Sequence, residues 1–484
     1  MASADKKEEL HVLLVAFSAQ GHINPMLRLG KSLLTRGLHV TLATTELVYH
    51  RMFKSSTTPT STGDEATVPT SITTNGIQVL FFSDGLDGRE TNMDHYMESM
   101  GKFGPVNLSN IIKDHFLGCS KRLACIINNP FVPWVADVAA EYKIPCACLW
   151  IQPCALYAIY YRFYNKFNQF PTLADPDMSV QLPGLPLLQA QDLPSFVLPS
   201  NTIGSMPEIL SDMFQDMKKL KWVLANSFYE LEKEVVDSMA ELCPIKTVGP
   251  LVPPSLLGQD QNEDVGIEMW KPQDSCMEWL SHQPPSSVIY ISFGSITVLS
   301  AKQMESIAKA LKKSNRPFLW VIKRGEKAAS DGAEELPLPQ GFEEETKDQG
   351  MVVSWCPQTK VLAHPAIGCF LTHCGWNSML EAITAGTPMI AYPQWSDQPT
   401  NAKLISDVFH IGIRLEQDSD GFVETEEVER AIEEIVGGTC SEEFKKNAAE
   451  LKRAAREAVA DGGSSDCNVQ SFVDEIIGTA INNI

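Results

Sequence analysis

The chain is predicted to be an α/β protein built from two doubly wound domains that face each other across a cleft. Three observations predict this. The 484 residues are too many for a single core. Two near-continuous apolar runs, HVLLVAF (11–17) and SVIYISFGS (287–295), have the look of buried parallel strands, and each opens a strand–helix–strand series. Between the two series lies the polar, acidic run LLGQDQNEDVGIEMWKPQD, the best linker in the chain. The division that follows is a first domain over 1–252, a linker over 253–270, a second domain over 271–460 and a terminal segment over 461–484.

In the first half, HVLLVAF is followed by the loop SAQGHINPM, a helix LRLGKSLLTRG closed by Gly37, and the strand HVTLATT. Such a βαβ opening directs ligands to the carboxyl ends of its strands, which makes His22, in the first loop, a candidate for chemistry. A lone loop histidine is more often a solvated or capping residue. Here Gly21 permits a sharp bend and Pro25 fits a first helical turn, which holds the imidazole over the crevice, and a neutral imidazole suits a general base near pH 7. Residues 54–76, rich in Ser, Thr, Gly and Pro, read as a long exposed loop, and IQVLFF as a strand. HYMESMGKFGPVNLSNIIKDHF is helical with a break near Gly104-Pro105. CIINNPF is a strand entering a loop, WVADVAAEY a helix, and IPCACLW a strand. The stretch 152–170 carries Tyr157, Tyr160, Tyr161, Phe163, Tyr164 and Phe167, a density more often found in a core than on a contact surface.

MSVQLPGLPLLQAQDLPSF is a proline-punctuated surface meander that reaches a pocket rim; strand and helix signals then run to CPIKTVGPLVP, which closes the first domain. In the second half, SVIYISFGS leaves Ser295 at its carboxyl end, SAKQMESIAKAL is a helix, FLWVIK a strand and EKAASDGAEELPLP an exposed insertion. A serine after a glycine turn is commonly a helix cap. MVVSWCPQ brings Trp355 and Gln358 to the crevice. Beyond residue 400 come a helix and strand in NAKLISDVFHIGIRL, then the amphipathic or charged helices TEEVERAIEEIV, SEEFKKNAAELKRAAREAVADGG and SSDCNVQSFVDEIIGTAI. Asp418-Ser419-Asp420 has the outline of a metal-binding acidic triplet, but it sits in a glycine-flanked turn and reads as turn chemistry; no metal-ligand set is expected.

The segment Trp355–Gln398 carries the chemistry. GCFLTH is a strand ending at His373, WNSMLEAITAG a helix closing at Gly386, and TPMIAYP the next strand. The tight turn at Gly375 leaves unpaired N–H groups at a helix start, where an anion gains from them and from the helix dipole. His373, Asn377 and Ser378 add side-chain donors there. Strand–Gly–helix units are common, so phosphate binding rests on the wider pattern. Trp355 and Gln358 offer a stacking plane and a planar amide to a base. Glu381 lies four residues after Asn377 on the same helix face and can take ribose hydroxyls, and Asp397 and Gln398 sit at a strand end suited to sugar hydroxyls. Base, ribose, diphosphate and sugar together describe a nucleotide-sugar site.

Composition bounds the partners. Hydrophobic content of 44% is that of a globular chain, and a net charge of −21 argues against a nucleic-acid backbone or an anionic membrane as partner. The amino end MASADKKEEL is polar and runs directly into a strand. The apolar runs fall short of the roughly 20 residues a membrane helix needs. The twelve cysteines are scattered without zinc spacing and fit buried thiols in a reducing cytoplasm.

With its 44 residues intact, the segment Trp355–Gln398 resembles the signature box of plant secondary-product glycosyltransferases, UDP-sugar-dependent enzymes of the GT-B fold with two Rossmann-like domains. HCGWNS, the EA after ML, the TP turn and the closing WSDQ carry the likeness. INNPFVPWVADVA, QLPGLPLL and VADGGSSD are similar to the limonoid and hydroxycinnamate glucosyltransferase subgroup. The resemblance implies UDP-glucose as donor, Trp376 and Ser295 as further donor-site residues, and glucose preference from Gln398. It also implies a terminal helix that returns to the first domain, an acceptor wall in the aromatic stretch, and a monomer acting on a small aromatic acid or phenol.

GHINP matches the family's loop, so the resemblance gives His22 the role of taking the acceptor proton. Many relatives place an Asp after the strand where this chain has Asn129. An Asn can hold the imidazole's tautomer but cannot offset its charge, which leaves His22 a weaker base. Asp137 or Asp114 remain as possible substitutes in space. A carboxylic acid is already ionised at pH 7 and a phenol is not, so Asn129 shifts the expectation toward acids and glucose esters. Uncharged donors at the helix start remove the need for a divalent ion. The competing readings are a phenol-specific enzyme, a catalytically weak UDP-sugar binder, and an NAD-type oxidoreductase; the last needs G-x-G-x-x-G where the chain has SAQGHINP.

Overall fold

The computed structural model describes residues 9–56, 68–86, 91–118, 121–201, 204–215, 217–259, 264–267, 273, 275–322 and 338–482. The expected insertion EKAASDGAEELPLP lies almost entirely outside them.

The first sheet contains β1 (Glu9–Val15), β2 (His39–Thr45), β3 (Ser71–Thr74), β4 (Ile77–Phe82), β5 (Lys121–Asn128), β6 (Cys146–Trp150), β7 (Trp222–Ala225) and β8 (Ile245–Thr247). Its order is β3-β4-β2-β1-β5-β6-β7-β8, parallel except for β3. The second contains β9 (Val288–Ser292), β10 (Phe318–Val321), β11 (Gly350–Val353), β12 (Ile367–Thr372), β13 (Met389–Ala391) and β14 (Gly412–Arg414), in the all-parallel order β11-β10-β9-β12-β13-β14. The strand order reverses between β1 and β5 in one sheet and between β9 and β12 in the other. Those are the points at which an open α/β sheet leaves a crevice for a ligand.

The helices covering these sheets are α1 (Gln20–Leu34), α2 (Glu46–Ser56), α3 (Met93–His115), α4 (Val135–Glu141), α5 (Cys154–Tyr164), α6 (Met206–Gln215), α7 (Tyr229–Ser238), α8 (Ser275–Ser281) and α9 (Ala301–Ser314). They continue with α10 (Phe342–Glu345), α11 (Gln358–Leu362), α12 (Trp376–Ala385), α13 (Gln398–Lys403), α14 (Thr425–Gly437), α15 (Ser441–Val459) and α16 (Ser464–Asn482). Both faces of the first sheet are buried: Val12 and Leu14 point to one core cluster, Leu13 and Val15 to another. That explains why HVLLV is apolar throughout rather than alternating. α16 lies on this sheet. Phe472, Val473 and Ile476 join Val12 and Leu14, Trp222 Nε1 donates to Glu475 at 2.6 Å, and Asn468 Nδ2 donates to the Thr247 carbonyl at 2.9 Å.

Three local expectations are corrected. SAQGHINPM is not wholly a loop: α1 begins at Gln20, so His22 sits in its first turn. Pro25 is tolerated inside the helix because the carbonyl it cannot pair, that of Gly21, accepts from Asn377 Nδ2 of the second domain at 2.9 Å. α3 runs unbroken through Pro105, whose missing N–H leaves over the carbonyl of Gly101, an exposed residue. In the expected loop 54–76, Ser71–Thr74 form an antiparallel edge strand joined to β4 by Asn75-Gly76, both at positive φ, 48° and 82°. That is the turn chemistry Asn-Gly favours. Residues 57–67 of that stretch lie outside the described residues.

The two domains are braced at several points. Arg28 reaches Asp264, and Asn24 both donates to and accepts from the Ile267 backbone, in the stretch of chain between the two sheets. The proline-rich meander clasps the second domain: Ser195 N donates to the Ser396 carbonyl and Ser396 N to Ser195 Oγ, each at 2.9 Å, while buried Asp192 accepts from Arg414 at 2.6 Å.

Candidate active site

His22 and Asn129 meet across the switch point of the first sheet. Val15 of β1 is in register with Asn128 of β5, so the residues that follow these strands converge. His22 Nδ1 lies 2.8 Å from Asn129 Oδ1, which also accepts from the Phe131 N–H at 3.3 Å. An N–H must meet an oxygen, so the Phe131 bond fixes the amide orientation; His22 therefore donates from Nδ1 and keeps its lone pair on Nε2. The ring is wedged between Phe17 and Phe131, with centroids at 5.0 and 4.7 Å. Burial pushes its pKa down to about 4, and the Asn129 bond opposes this only in part. Asn129 itself is fully buried, and its Nδ2 has no partner among the described residues. Neither acidic residue considered as a substitute for Asn129 is bonded to His22. Asp137 pairs with Lys219 at 2.6 Å, and Asp114 is exposed near the end of α3.

The second switch point holds a second histidine. Thr372 of β12 is in register with Ser292 of β9, and His373 follows. Two glycines make room for the imidazole: a Cβ on Gly294 would stand 2.9 Å from the ring, and one on Gly375 would stand 2.5 Å from Nε2. Burial pushes this pKa down to about 4 as well, and Nδ1 has no partner among the described residues. Cys374 takes the left-handed conformation, φ 67°, that swings the chain into α12. Its carbonyl is held by Asn401 Nδ2 at 2.8 Å. The N-cap of α12 is Gly375, with no side-chain cap, so the first-turn N–H groups face the cleft.

Ser295, Trp355, Gln358, His373, Trp376, Asn377, Ser378 and Glu381 all line one cavity of about 350 Å³. Gln358, read as free to meet a base, is engaged instead: its Nε2 donates to Ser378 Oγ (2.9 Å) and Glu381 Oε2 (2.8 Å), and its Oε1 accepts from Tyr290 (3.0 Å). Burial raises the Glu381 carboxyl, with the Gln358 bond opposing. Trp376 has its indole N–H committed to the Asn226 carbonyl of the first domain at 2.8 Å.

Asp397 and Gln398 are not among the lining residues of this cavity or of the one beside it. Both are turned inward. Gln398 Oε1 accepts from the Gln394 and Trp395 N–H groups at 2.9 and 3.3 Å, and Asp397 Oδ2 accepts from Asn401 Nδ2 at 2.7 Å. Asp397 thus supports, through Asn401, the turn at Cys374. Burial raises its carboxyl to about 6.

A second cavity of about 700 Å³ adjoins the first, sharing Gln20, Gly21, Gly294, Ser295, Val321 and Asn377. His22 lies in its wall with Phe17, Tyr96, Phe131, Trp320 and Trp395. The aromatic stretch implied as an acceptor wall is not part of it. Tyr157 and Tyr160 of α5 are buried against Phe214 of α6, a core cluster beneath the sheet. The actual wall comes from single aromatics at the ends of β1, β9 and β10 and from loops, too far apart in sequence to form a pattern.

Among the described residues, one group of His and carboxylate side chains lies close enough to share an ion: Glu9, His11 and His39, at the opposite end of β1 and β2. The two rings are stacked, 4.7 Å apart and 18° from parallel, so their in-plane lone pairs do not converge on one point. Asp418 Oδ1 accepts from the Asp420 and Phe422 N–H groups, which is turn chemistry. No helix among the described residues is long and apolar enough to cross a membrane.

Residues 213–458 match the family model described as UDP-glucoronosyl and UDP-glucosyl transferase. UDP-glycosyltransferase 84B1 of Arabidopsis thaliana is 46% identical over 97% of this chain and 98% of its own. Gallate 1-beta-glucosyltransferase 84A24 of Punica granatum is 41% identical over 96% and 89%. The crystal structure of Os79 from O. sativa in complex with UDP superposes with a TM-score of 0.82 at 31% identity, covering 96% of this chain and all, 100%, of that one.

Proposed function

The chain belongs to the UDP-glucoronosyl and UDP-glucosyl transferase family, and from that premise we propose that it moves glucose from UDP-glucose to the carboxylate or phenolic hydroxyl of a small aromatic acceptor, carboxylates first. The observation that carries this is the pair of adjoining cavities, one opening on the start of α12 and the other on His22.

The donor's diphosphate lies at the α12 start, with Ser378, His373 and Ser295 beside it, uracil against Trp355, and the ribose toward Glu381. The acceptor oxygen attacks the anomeric carbon from the His22 side. The bond from that carbon to the diphosphate oxygen breaks, UDP leaves with the electron pair, and the α-linked sugar becomes β-linked. Helix N–H groups and neutral donors meet the charge that grows on the phosphate, so no divalent ion is required. Trp376 and Asn377, which also line this cavity, tie the helix start to the first domain. Asp397 acts on the turn through Asn401. Gln398 shapes the 394–398 loop.

The proton decides the acceptor. A phenol near pKa 10 delivering its proton to an imidazole near 4 faces an uphill transfer of about 8 kcal/mol. A carboxylate has no proton to give and needs only to be held in line. Relatives named for gallate 1-beta-glucosyl transfer agree with this order. The same reading keeps an acceptor domain at 1–252, a linker at 253–270, a donor domain at 271–460 and a returning helix at 461–484. It takes the protein to be a monomer of the cytoplasm, in keeping with eleven described cysteines that form no disulfide. The test is a transfer assay with UDP-glucose over matched aromatic acids and phenols. Alkali-labile esters from the acids, formed faster than phenolic glucosides, are expected. Transfer to phenols alone overturns the order, and UDP binding without transfer overturns the activity.

A further inference from the structure

We infer that Asn377 is a positioning residue for transfer: by donating to the Gly21 carbonyl, it sets the distance between a donor held at the start of α12 and an acceptor held beside His22. The inference rests on the transfer reaction proposed above and assigns a residue to its geometry.

Three residues on two domains are shaped around this bond. Pro25 has no N–H, so the carbonyl four residues earlier, that of Gly21, lacks its helical partner. A proline inside a helix is costly, and its ring also presses that carbonyl away from the axis. Asn377 Nδ2 takes the place of the missing donor at 2.9 Å. Only the amide nitrogen can meet a carbonyl, which fixes the orientation of the Asn377 side chain. Gly21 completes the arrangement, since a Cβ there would stand 2.8 Å from Asn377 Nδ2 and hold the two domains apart.

The bond lies on the seam between the two cavities, because Gly21 and Asn377 line both. On one side, Gly21 precedes His22, whose ring is held by Asn129 within the first domain. On the other, Asn377 lies in the first turn of α12, next to Trp376, whose indole N–H is fixed on the Asn226 carbonyl. The His22 turn and the turn that opens α12 are thereby joined directly. An in-line displacement needs the nucleophile and the anomeric carbon at contact distance, and a shift of about 1 Å costs about 100-fold in rate. Loss of the tie therefore appears in kcat, and alike for acids and phenols, because it concerns distance and not the proton.

The experiment measures kcat with benzoate and with phenol, UDP affinity by calorimetry and Tm for the wild type, Pro25→Ala, Asn377→Ala and the double variant. Pro25→Ala gives position 25 an N–H that draws the Gly21 carbonyl back into the helix. It is expected to lower kcat by about 10- to 100-fold for both acceptors, with UDP affinity within about threefold and a Tm that does not fall. In the Asn377→Ala background the same change is expected to alter kcat by less than about twofold, because the bond is already gone. An unchanged kcat in Pro25→Ala, a full further loss in the double variant, or a UDP affinity that falls as far as kcat overturns the inference. Should Pro25→Ala fail to fold, Gly21→Ala, which crowds Asn377 Nδ2 from the other end, is expected to show the same split between kcat and UDP affinity. Hydrogen exchange reads the tie without turnover. UDP is expected to slow exchange of the His22 and Ile23 amides, both bonded to the Ala19 carbonyl, in the wild type and not in Pro25→Ala; equal slowing in both overturns the inference. A wild type that transfers to neither acceptor refutes the underlying reaction instead, so the two failures are distinguishable.

Discussion

Two histidines face each other across the cleft, and their environments differ where their acidities do not. His22 and His373 each follow a central strand at a switch point, and burial pushes each down to about 4. His22 has a dedicated side-chain partner that dictates which nitrogen carries the proton. His373 is held by the Ser292 backbone, with no side-chain partner among the described residues, and is boxed in by two glycines beside an uncapped helix. A fixed tautomer is what a proton acceptor needs. Glycine-lined space and exposed N–H groups are what a phosphate needs. Acidity alone would not separate the two roles, and the neighbours do.

The strongest way to break this comparison is His22→Ala. Loss of a positioned base removes about 10²- to 10⁴-fold from transfer to a phenol. Transfer to an aromatic acid should fall by less than about tenfold, since no proton leaves it. Steady-state kinetics on matched acceptors reads both, and equal losses would remove the distinction. Gly375→Ala attacks the other side. Its new Cβ would stand 2.5 Å from His373 Nε2, and overpacking of about 1–3 kcal/mol predicts UDP affinity weaker by about 10- to 100-fold. Both acceptor classes should suffer alike; calorimetric titration with UDP checks this, and an unchanged affinity would place the phosphate elsewhere.

Asn129→Asp sharpens the comparison from within the first domain. A carboxylate beside Nδ1 raises the His22 pKa and should shift the phenol-to-acid rate ratio toward phenols by about tenfold. The same change buries a charge where Asn129 Nδ2 already lacks a partner among the described residues, so a lower Tm is expected with it. The smallest effect concerns Asp397. An acid raised in the fold from 3.8 to about 6 favours its protonated form there, so its ionisation costs stability progressively as pH rises from 3.8 through 6. Asp397→Asn keeps an oxygen for Asn401 and should raise Tm by a few degrees at pH 8, with the gain fading below pH 5. A gain that is independent of pH would contradict the burial argument.

Much of this was legible in the sequence. Unbroken apolar runs announced parallel strands covered on both faces, and the glycine turn before Trp376 announced a helix start without a side-chain cap, which lines the cavity. His22 and Asn129 each stand out in the sequence, and the fold brings them together. What remained hidden was side-chain direction. Asp397 and Gln398 carry the right chemistry for sugar hydroxyls, yet both point into the protein, which residue type cannot disclose. The six aromatics of 152–170 are mostly core because α5 packs on α6, while the cavity's own aromatics are scattered one per loop. The Asn-Gly turn before β4 was a readable hairpin mark inside a stretch otherwise rich in loop residues.

The central claim is that the acceptor arrives as an anion and His22 need not act as a strong base. The direct test is the pH dependence of kcat/KM for an aromatic acid and for a phenol between pH 5.5 and 9. The account predicts a nearly flat profile for the acid with and without His22, and for the phenol a profile that is flat in the wild type, where His22 is neutral throughout, and climbs with pH toward the phenol's own ionisation in His22→Ala. An acid profile that falls away below pH 7 with a single deprotonation, matched by a phenol profile of the same shape, would show one enzyme base governing both and would contradict it.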